Sequence, residues 1–522
     1  MKRRAIAAAL LLLAGASAGE AQIVFVFETV LQKGDVIPGV GAVTTIDNLA
    51  VNDHGAWLVE ADTDHSNTNA DAVIIQNGAL YLREDQPLPR PPGSRLDTFD
   101  SVRLNNHGHS GWNFFLSGTS GSLDDSGIYY DTTLVIQESD ISTAPGFTPG
   151  TPYIGFFETH INDAREILIV ASVDDPAIAT SVDRALVIAM VDSVGDLLSE
   201  TLLAMEGDTL PGQSEGITDF GTGPHESAFN DSGDVLFFAD LTGATTTDGV
   251  IYRNLTLLAQ EGSPSPLPGR NYETLSSRGL DLNNQGGYVF KANLDGSTAD
   301  DEAIVKNNTI LAREGGTMPG IAPYLLTSFG TGSGPVQIGD NGKVVWFGDW
   351  DDPNTNIDTG LFLDSVLIVQ EGVTMVGDDL IDEIASGQDA FDLSSSGRWL
   401  LFEVTFTNGN NAAVLLDLTD PTSVTEASDL VSPAVLQAAP NPFASGTTIR
   451  FGLTERETVS LRVYDVRGRL VSVLADGAFS AGEHVVSWNG RDDRGRTASA
   501  GTYFVRLRTA DESRSFRLVR VR

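Results

Sequence analysis

The sequence predicts an all-β protein: a seven-bladed β-propeller closed by its N-terminal strand, followed by a small β-sandwich. Three observations predict it. Two independent landmarks recur seven times with one shared period. The seventh copy lacks a strand that the chain supplies at its beginning. The C-terminal stretch then changes to Arg-rich alternating strands.

In chain order, residues 1–21 read as a signal peptide. Lys2, Arg3 and Arg4 precede a short apolar stretch, 5–14, and small residues then give A-x-A-like sites ending at Ala18 and Ala21, where cleavage is expected. That stretch is about half the ~20 residues a membrane span needs. No other segment is long and apolar enough to cross, so no transmembrane anchor is expected in the mature chain.

Residues 22–418 carry the repeats. The first landmark is an Asn/Ser-x-x-Gly turn before a hydrophobic strand. Its fourth positions are Gly55, Gly108, Arg165, Gly233, Gly286, Gly342 and Gly397, at steps of 53, 57, 68, 53, 56 and 55 residues. The second is an apolar run ending at Gln32, Glu84, Glu138, Glu206, Glu261, Glu314 and Glu371, at steps of 52, 54, 68, 55, 53 and 57. Both show the same long step, which a longer hairpin over 185–205 explains. Asn and Gly supply the positive-φ positions of tight hairpins, and each copy holds roughly four strands, the size of a propeller blade.

The seventh copy stops after the strand at 412–418. Its missing closing strand matches residues 24–32, so the two ends of this region are expected to complete one blade and leave no open sheet edge. The rival arrangement is an open array of β repeats. The motifs Asn230-x-x-Gly233-x-x-x-Phe237 and Asn283-x-x-Gly286-x-x-x-Phe290, with Trp112 and Trp346 as aromatic variants, resemble the bacterial tandem NxxGxxxF repeat proteins. In the third copy Arg165 replaces Gly, and a remodelled turn is expected there.

A polar linker, 419–434, leads to residues 435–522. Val459, Leu461 and Val463 alternate with Ser460, Arg462 and Tyr464, as a sheet with one buried face requires. The motifs Pro440-Asn441-Pro442, Tyr464-Asp465-x-x-Gly468-Arg469, Trp488-Asn489-Gly490-x-Asp492-x-x-Gly495 and Gly501-x-Tyr503 resemble the type A C-terminal sorting domain of type IX secretion. They also resemble the Ig-like domain of the flagellar hook-capping protein. The resemblance implies that this domain engages the secretion machinery and directs the protein across the outer membrane, to the cell surface or medium. A plain Ig-like stalk is the alternative.

The formal net charge is −39. Residues 435–522 carry +5 and residues 1–22 carry +2, which leaves −46 on residues 23–434. Such a field repels phosphate backbones and anionic headgroups, so no nucleic-acid partner is expected. The absence of Cys removes thiol catalysis, thiolate metal sites and iron–sulfur chemistry.

No catalytic constellation stands out: neither H-E-x-x-H, nor G-x-S-x-G, nor a phosphate-binding Gly-rich loop with Lys occurs. His54 and His107 share one turn position and read as solvent-facing turn residues. One acidic pattern recurs with identical spacing: Asp62, Asp64, Asn67, Asn69 and Asp71, then Asp349, Asp351, Asn354, Asn356 and Asp358. Its hard oxygens suit Ca2+, although Asp and Asn are also ordinary turn residues. The function expected is a secreted or surface-displayed binding or adhesion module with a glycan or protein ligand. The alternatives are an extracellular polysaccharide hydrolase or lyase and a structural surface-layer protein.

Overall fold

A computed structural model of the chain describes residues 7–10, 24–178, 183–223, 225–275, 278–332 and 334–418. In the C-terminal part it describes 437–439, 443, 447–453, 457–465, 469–479, 482–492, 496–499, 501–508 and 513–521. The chain divides into two compact units, Met1–Asp420 and Pro421–Arg522. Among the described residues no segment is helical and no helix is long and apolar enough to cross a membrane. The cleavage positions Ala18 and Ala21, the linker at 419–434 and Pro440–Pro442 lie outside the described residues. Within the expected signal peptide, Ala7–Leu10 pairs antiparallel with Val24–Phe27.

The N-terminal unit is a succession of antiparallel sheets, seven among the described residues. They span 36–83, 95–137, 153–205, 217–260, 272–313, 326–370 and 375–417, here called sheets one to seven. The seventh is completed from the other end of the unit, where Val24–Gln32 pairs antiparallel with Asn411–Asp417. The step of 68 residues is the long hairpin of Asp183–Val191 and Leu197–Met205 in sheet three.

The landmark turns explain why these residues fold as they do. In sheet five, the Asn283 side-chain oxygen accepts from the amides of Gln285 and Gly287 at 3.1 and 2.7 Å, closing the turn. Its Nδ2 then donates to the Gly339 carbonyl of sheet six at 2.8 Å. Asn52, Asn105, Asn162 and Asn230 make the same link to the carbonyl of the next turn, at 3.0, 3.1, 3.2 and 3.0 Å. Asn341 links sheet six to Gly397 of sheet seven. The last link joins the ends: the Ser396 amide donates to Asp53 Oδ1 of sheet one at 2.6 Å.

Apolar packing follows the same circuit. The motif aromatics Trp112, Phe237, Phe290 and Trp346 are fully buried. Apolar clusters fill each gap between successive sheets, and one of them joins Leu401, Ala413 and Leu415 of sheet seven to Val59 and Ile75 of sheet one. Each buried Leu or Val contributes roughly 1.5–3 kcal/mol, so the joint between the two ends is packed like the others.

Among the described residues the C-terminal unit has two sheets, one of Gln437–Ala439, Thr447–Leu453 and Gly482–Trp488, the other of Leu470–Phe479, Glu457–Asp465, Gly501–Arg508 and Ser513–Arg520. Val459, Leu461 and Val463 are buried, as their alternation predicts. Trp488 sits 5.3 Å from both Phe443 and Tyr503, and its indole N–H donates to the Arg491 carbonyl at 2.9 Å. The aromatic thus holds the motif loop that follows it.

The third turn departs from expectation. Arg165 keeps the conformation of the glycines it replaces, with φ of 64°, and its amide still donates to the Asn162 carbonyl at 3.2 Å. A side chain in this region is disfavoured by roughly 1–2 kcal/mol, partly offset by the chain entropy that Gly would bring. Arg165→Gly should therefore stabilise the protein by about 0.5–1 kcal/mol, read as a rise in denaturation midpoint, whereas Arg165→Ala should give no gain.

Candidate functional site

The strand before each turn lies at the inner edge of its sheet, and these strands contact one another around the circuit. Such an edge leaves alternate amides without a ladder partner, and each needs another acceptor. Side chains two residues before the turn meet part of that need. Asp392 accepts from the Val51 amide, Asp281 from the Ile338 amide, and Gln337 from the Leu393 amide, each at 2.7 Å. Gln337 Nε2 also donates to Asp392 Oδ1 at 3.0 Å.

At the same register the other sheets carry Ala50, Arg103, His160 and Ala228. Arg103 and His160 serve a different partner, Glu158, whose side chain is 2% exposed. Glu158 Oε1 lies 3.2 Å from Arg103 Nη2 and 3.3 Å from His160 Nε2, and it accepts from the His225 amide at 2.7 Å. Oε2 accepts from the Ser227 amide and hydroxyl at 3.2 and 3.0 Å. Burial opposes ionisation of Glu158, yet His160 and Arg103 beside it hold its pKa at about 2. Burial pushes His225 down to about 3 and Asp281 up to about 7, and it also raises Asp392.

Apart from Glu158, which lies behind the wall, these groups line a cavity of about 130 Å³ on the axis, to which all seven sheets contribute. The positions just before the turns, Val51, Leu104, Ile161, Phe229, Leu282, Ile338 and Leu393, ring it completely. Arg103, His160 and His225 form one arc of the wall, and Asp281, Gln337 and Asp392 form another. His225 is 7% exposed, and its Nε2 has no hydrogen-bond partner.

Sequence reasoning missed this site, although a signal was present. With the copies aligned on their turns, the residues two places earlier read Ala50, Arg103, His160, Ala228, Asp281, Gln337 and Asp392. That is a run of polar residues within otherwise apolar strands. A second register in the next strand reads Glu60, Asn113, Val170, Phe238, Lys291, Phe347 and Glu403. Burial raises Glu60 to about 8 and Glu403 to about 7, and lowers Lys291 to about 7. The Lys291 ammonium donates to the Thr331 carbonyl at 2.6 Å.

The candidate calcium residues lie away from this cavity, in equivalent loops of sheets one and six. Asp62 and Asp349 each accept from a threonine hydroxyl, Thr45 and Thr327, at 3.0 Å. Asp64 and Asp351 each clasp one residue from both sides, Ala42 and Leu325 respectively. Their side chains accept its amide at 2.6 and 2.7 Å, and their own amides donate to its carbonyl at 2.8 and 3.0 Å. Asp295 of sheet five makes the same clasp on Asn271, at 2.9 Å each way. Asn67 accepts from the Asn69 amide at 3.3 Å, and Asn354 and Asn356 lie in the corresponding turn region. The Asp71 and Asp358 carbonyls accept from Thr63 and Trp350 at 3.0 and 2.9 Å. Among the described residues no group of three or more His, Asp or Glu is arranged to hold a metal ion. His54 and His107 lie in the turns, while His109 stacks on Tyr130 and contacts Asp131 at 2.8 Å.

Compared with known proteins, residues 23–254 match a family described as of unknown function, DUF7453. Residues 440–513 match the FlgD Ig-like domain. No curated protein matches the chain. Among solved structures, PorZ, a surface component of the type-IX secretion system of Porphyromonas gingivalis, is 13% identical with a TM-score of 0.27, over 99% of this chain. The chain spans 58% of the length of that structure. TolB from Acinetobacter baumannii is 11% identical with a TM-score of 0.28, covering 72% of this chain and 78% of its own. A Trypanosoma rangeli sialidase is 9% identical with a TM-score of 0.30, covering 94% and 88%.

Two expectations follow from these geometries. The landmark glutamates are raised by burial, as Glu60, Asp281 and Glu403 are. A carboxyl whose folded pKa is raised holds its proton more tightly in the folded state. The stability it contributes is present below the unfolded pKa and is lost as pH rises through the folded one. The melting temperature should therefore fall between about pH 5 and pH 7, and Glu60→Gln should flatten that slope. Glu158, with its lowered pKa, works in the opposite sense only below about pH 4.5, and His225, also lowered, does so below about pH 6.5, where the several raised carboxyls outweigh it. Secondly, backbone clasps already occupy Asp64 and Asp351, and on that ground chelator-treated protein should melt at the same temperature in millimolar calcium as in matched magnesium. A calcium-specific rise would make ligands of those residues.

Proposed function

We propose that residues 22–418 form a seven-bladed β-propeller, displayed at the outer cell surface or released from it, that acts as a binding or adhesion module. Residues 435–522 direct its passage across the outer membrane. The observation that carries the propeller reading is the closed circuit of turn-to-turn hydrogen bonds, with its last link from Ser396 to Asp53. The pairing of Val24–Gln32 with the final strand supports the same reading.

The binding role is supported by how the axial carboxylates are used. Glu158, Asp281 and Asp392 are committed to neighbouring amides, arginine and histidine, which favours a rigid wall over a pair of acids poised for glycosidic chemistry. Display is supported by the FlgD Ig-like match at 440–513, by the sorting-domain motifs within it and by the basic-then-apolar leader.

The decisive experiment expresses the full chain, and a variant lacking 435–522, in a bacterium with type IX secretion. The full chain should be digested when protease is added to intact cells or should be found in the medium. The truncated chain should accumulate, folded, in the periplasm. Equal export of the two would reduce the C-terminal domain to a stalk.

A further inference from the structure

We propose that the axial cavity binds one terminal sugar residue of an uncharged glycan, entering past the turn residues Asp231, Asn284 and Ser395. This deepens the reading of the unit as a binding module and rests on it. The cavity holds about 130 Å³, whereas one water needs about 10–15 Å³ by the same measure. It therefore has room for a ring-sized polar molecule. It has a wall only where the circuit is closed, because every sheet supplies part of it.

The lining itself points to a ligand. His225 is nine-tenths buried and borders the cavity; the Gln388 backbone hydrogen-bonds its ring, while its Nε2 has no partner, a state that buried polar atoms rarely keep. The axial amides of sheets one, six and seven are braced by Asp392, Asp281 and Gln337. The equivalent residues Leu104, Ile161 and Phe229 border the same cavity. The side chains placed to brace them are Ala50, Arg103 and His160, which have no carboxylate or amide oxygen to offer.

One arc of the wall thus carries Arg103 and His160, both turned toward Glu158, with the free Nε2 of His225. The other carries the carboxyls of Asp281 and Asp392, each with lone pairs beyond those its amide partners use. Hydroxyl groups donate and accept, so a sugar edge satisfies both arcs at once. Arg103 is paired with Glu158, and burial disfavours charge on Asp281 and Asp392, so the wall offers little net charge to an anion or a cation. Neither has the complementarity of a neutral polyol.

The test is saturation-transfer NMR and calorimetry on the mature full chain with single neutral monosaccharides, using acetate and tetramethylammonium as charged probes of limited size. At least one neutral monosaccharide should bind saturably. Binding should weaken about tenfold or more, about 1.4 kcal/mol, in His225→Asn, which tolerates the residue's positive φ of 62°. It should weaken similarly in Asp281→Asn, which keeps an oxygen for the Ile338 amide. Melting curves identify either variant that fails to fold, and the other then decides.

No binding of any neutral monosaccharide to the wild-type chain, unchanged binding in the folded variants, or preferential binding of a charged probe overturns the proposal. If the wild type and both variants bind the same glycan or protein on an array equally, the binding-module reading stands and the axial site falls. If nothing binds in any assay, both fall.

Discussion

The structure depends on one constraint: a strand with nothing on its far side still carries amides and carbonyls that must be paired. In the N-terminal unit the inner strand of every sheet is in that position, and the answer lies at its end. A single asparagine closes its own turn with its oxygen and reaches the next sheet with its nitrogen, as Asn283 does. Each such bond contributes only about 1 kcal/mol net. Repeated from turn to turn and returned to Asp53, they set the distance and rotation between sheets, and the apolar seams fill the space that remains.

This explains what could be read in the sequence and what could not. The turns were legible because their chemistry is local: Asn and Gly are required within four residues of one another, and seven copies make the period plain. The shared last sheet was legible because Val24–Gln32 resembles the closing strands elsewhere. The axial groups were not, because His160 and Glu158 acquire meaning only when Arg103 of one sheet and Ser227 of another are brought to them. Alignment of the copies marks the polar register, but the partners across the axis come from closure.

The acidic loops teach the converse. Asp62 to Asp71 and Asp349 to Asp358 share a spacing that suggests ligands, yet Asp295 makes the same clasp in a sheet without the full pattern. Identical spacing between copies thus records the shared geometry of a loop, whatever else it serves. Arg165 shows how strong that geometry is, since it holds a backbone conformation ordinarily left to glycine.

The pairing of Val24–Gln32 with Asn411–Asp417 has a consequence in time. The two strands are separated by nearly four hundred residues of chain, so the first is made long before its partner. Until then sheets one and seven both lack their neighbour, and the apolar seam between them is open to solvent. Contacts this distant in sequence form slowly. Closure of the unit therefore waits on its last strand, and the joint between sheets one and seven is the last to be packed.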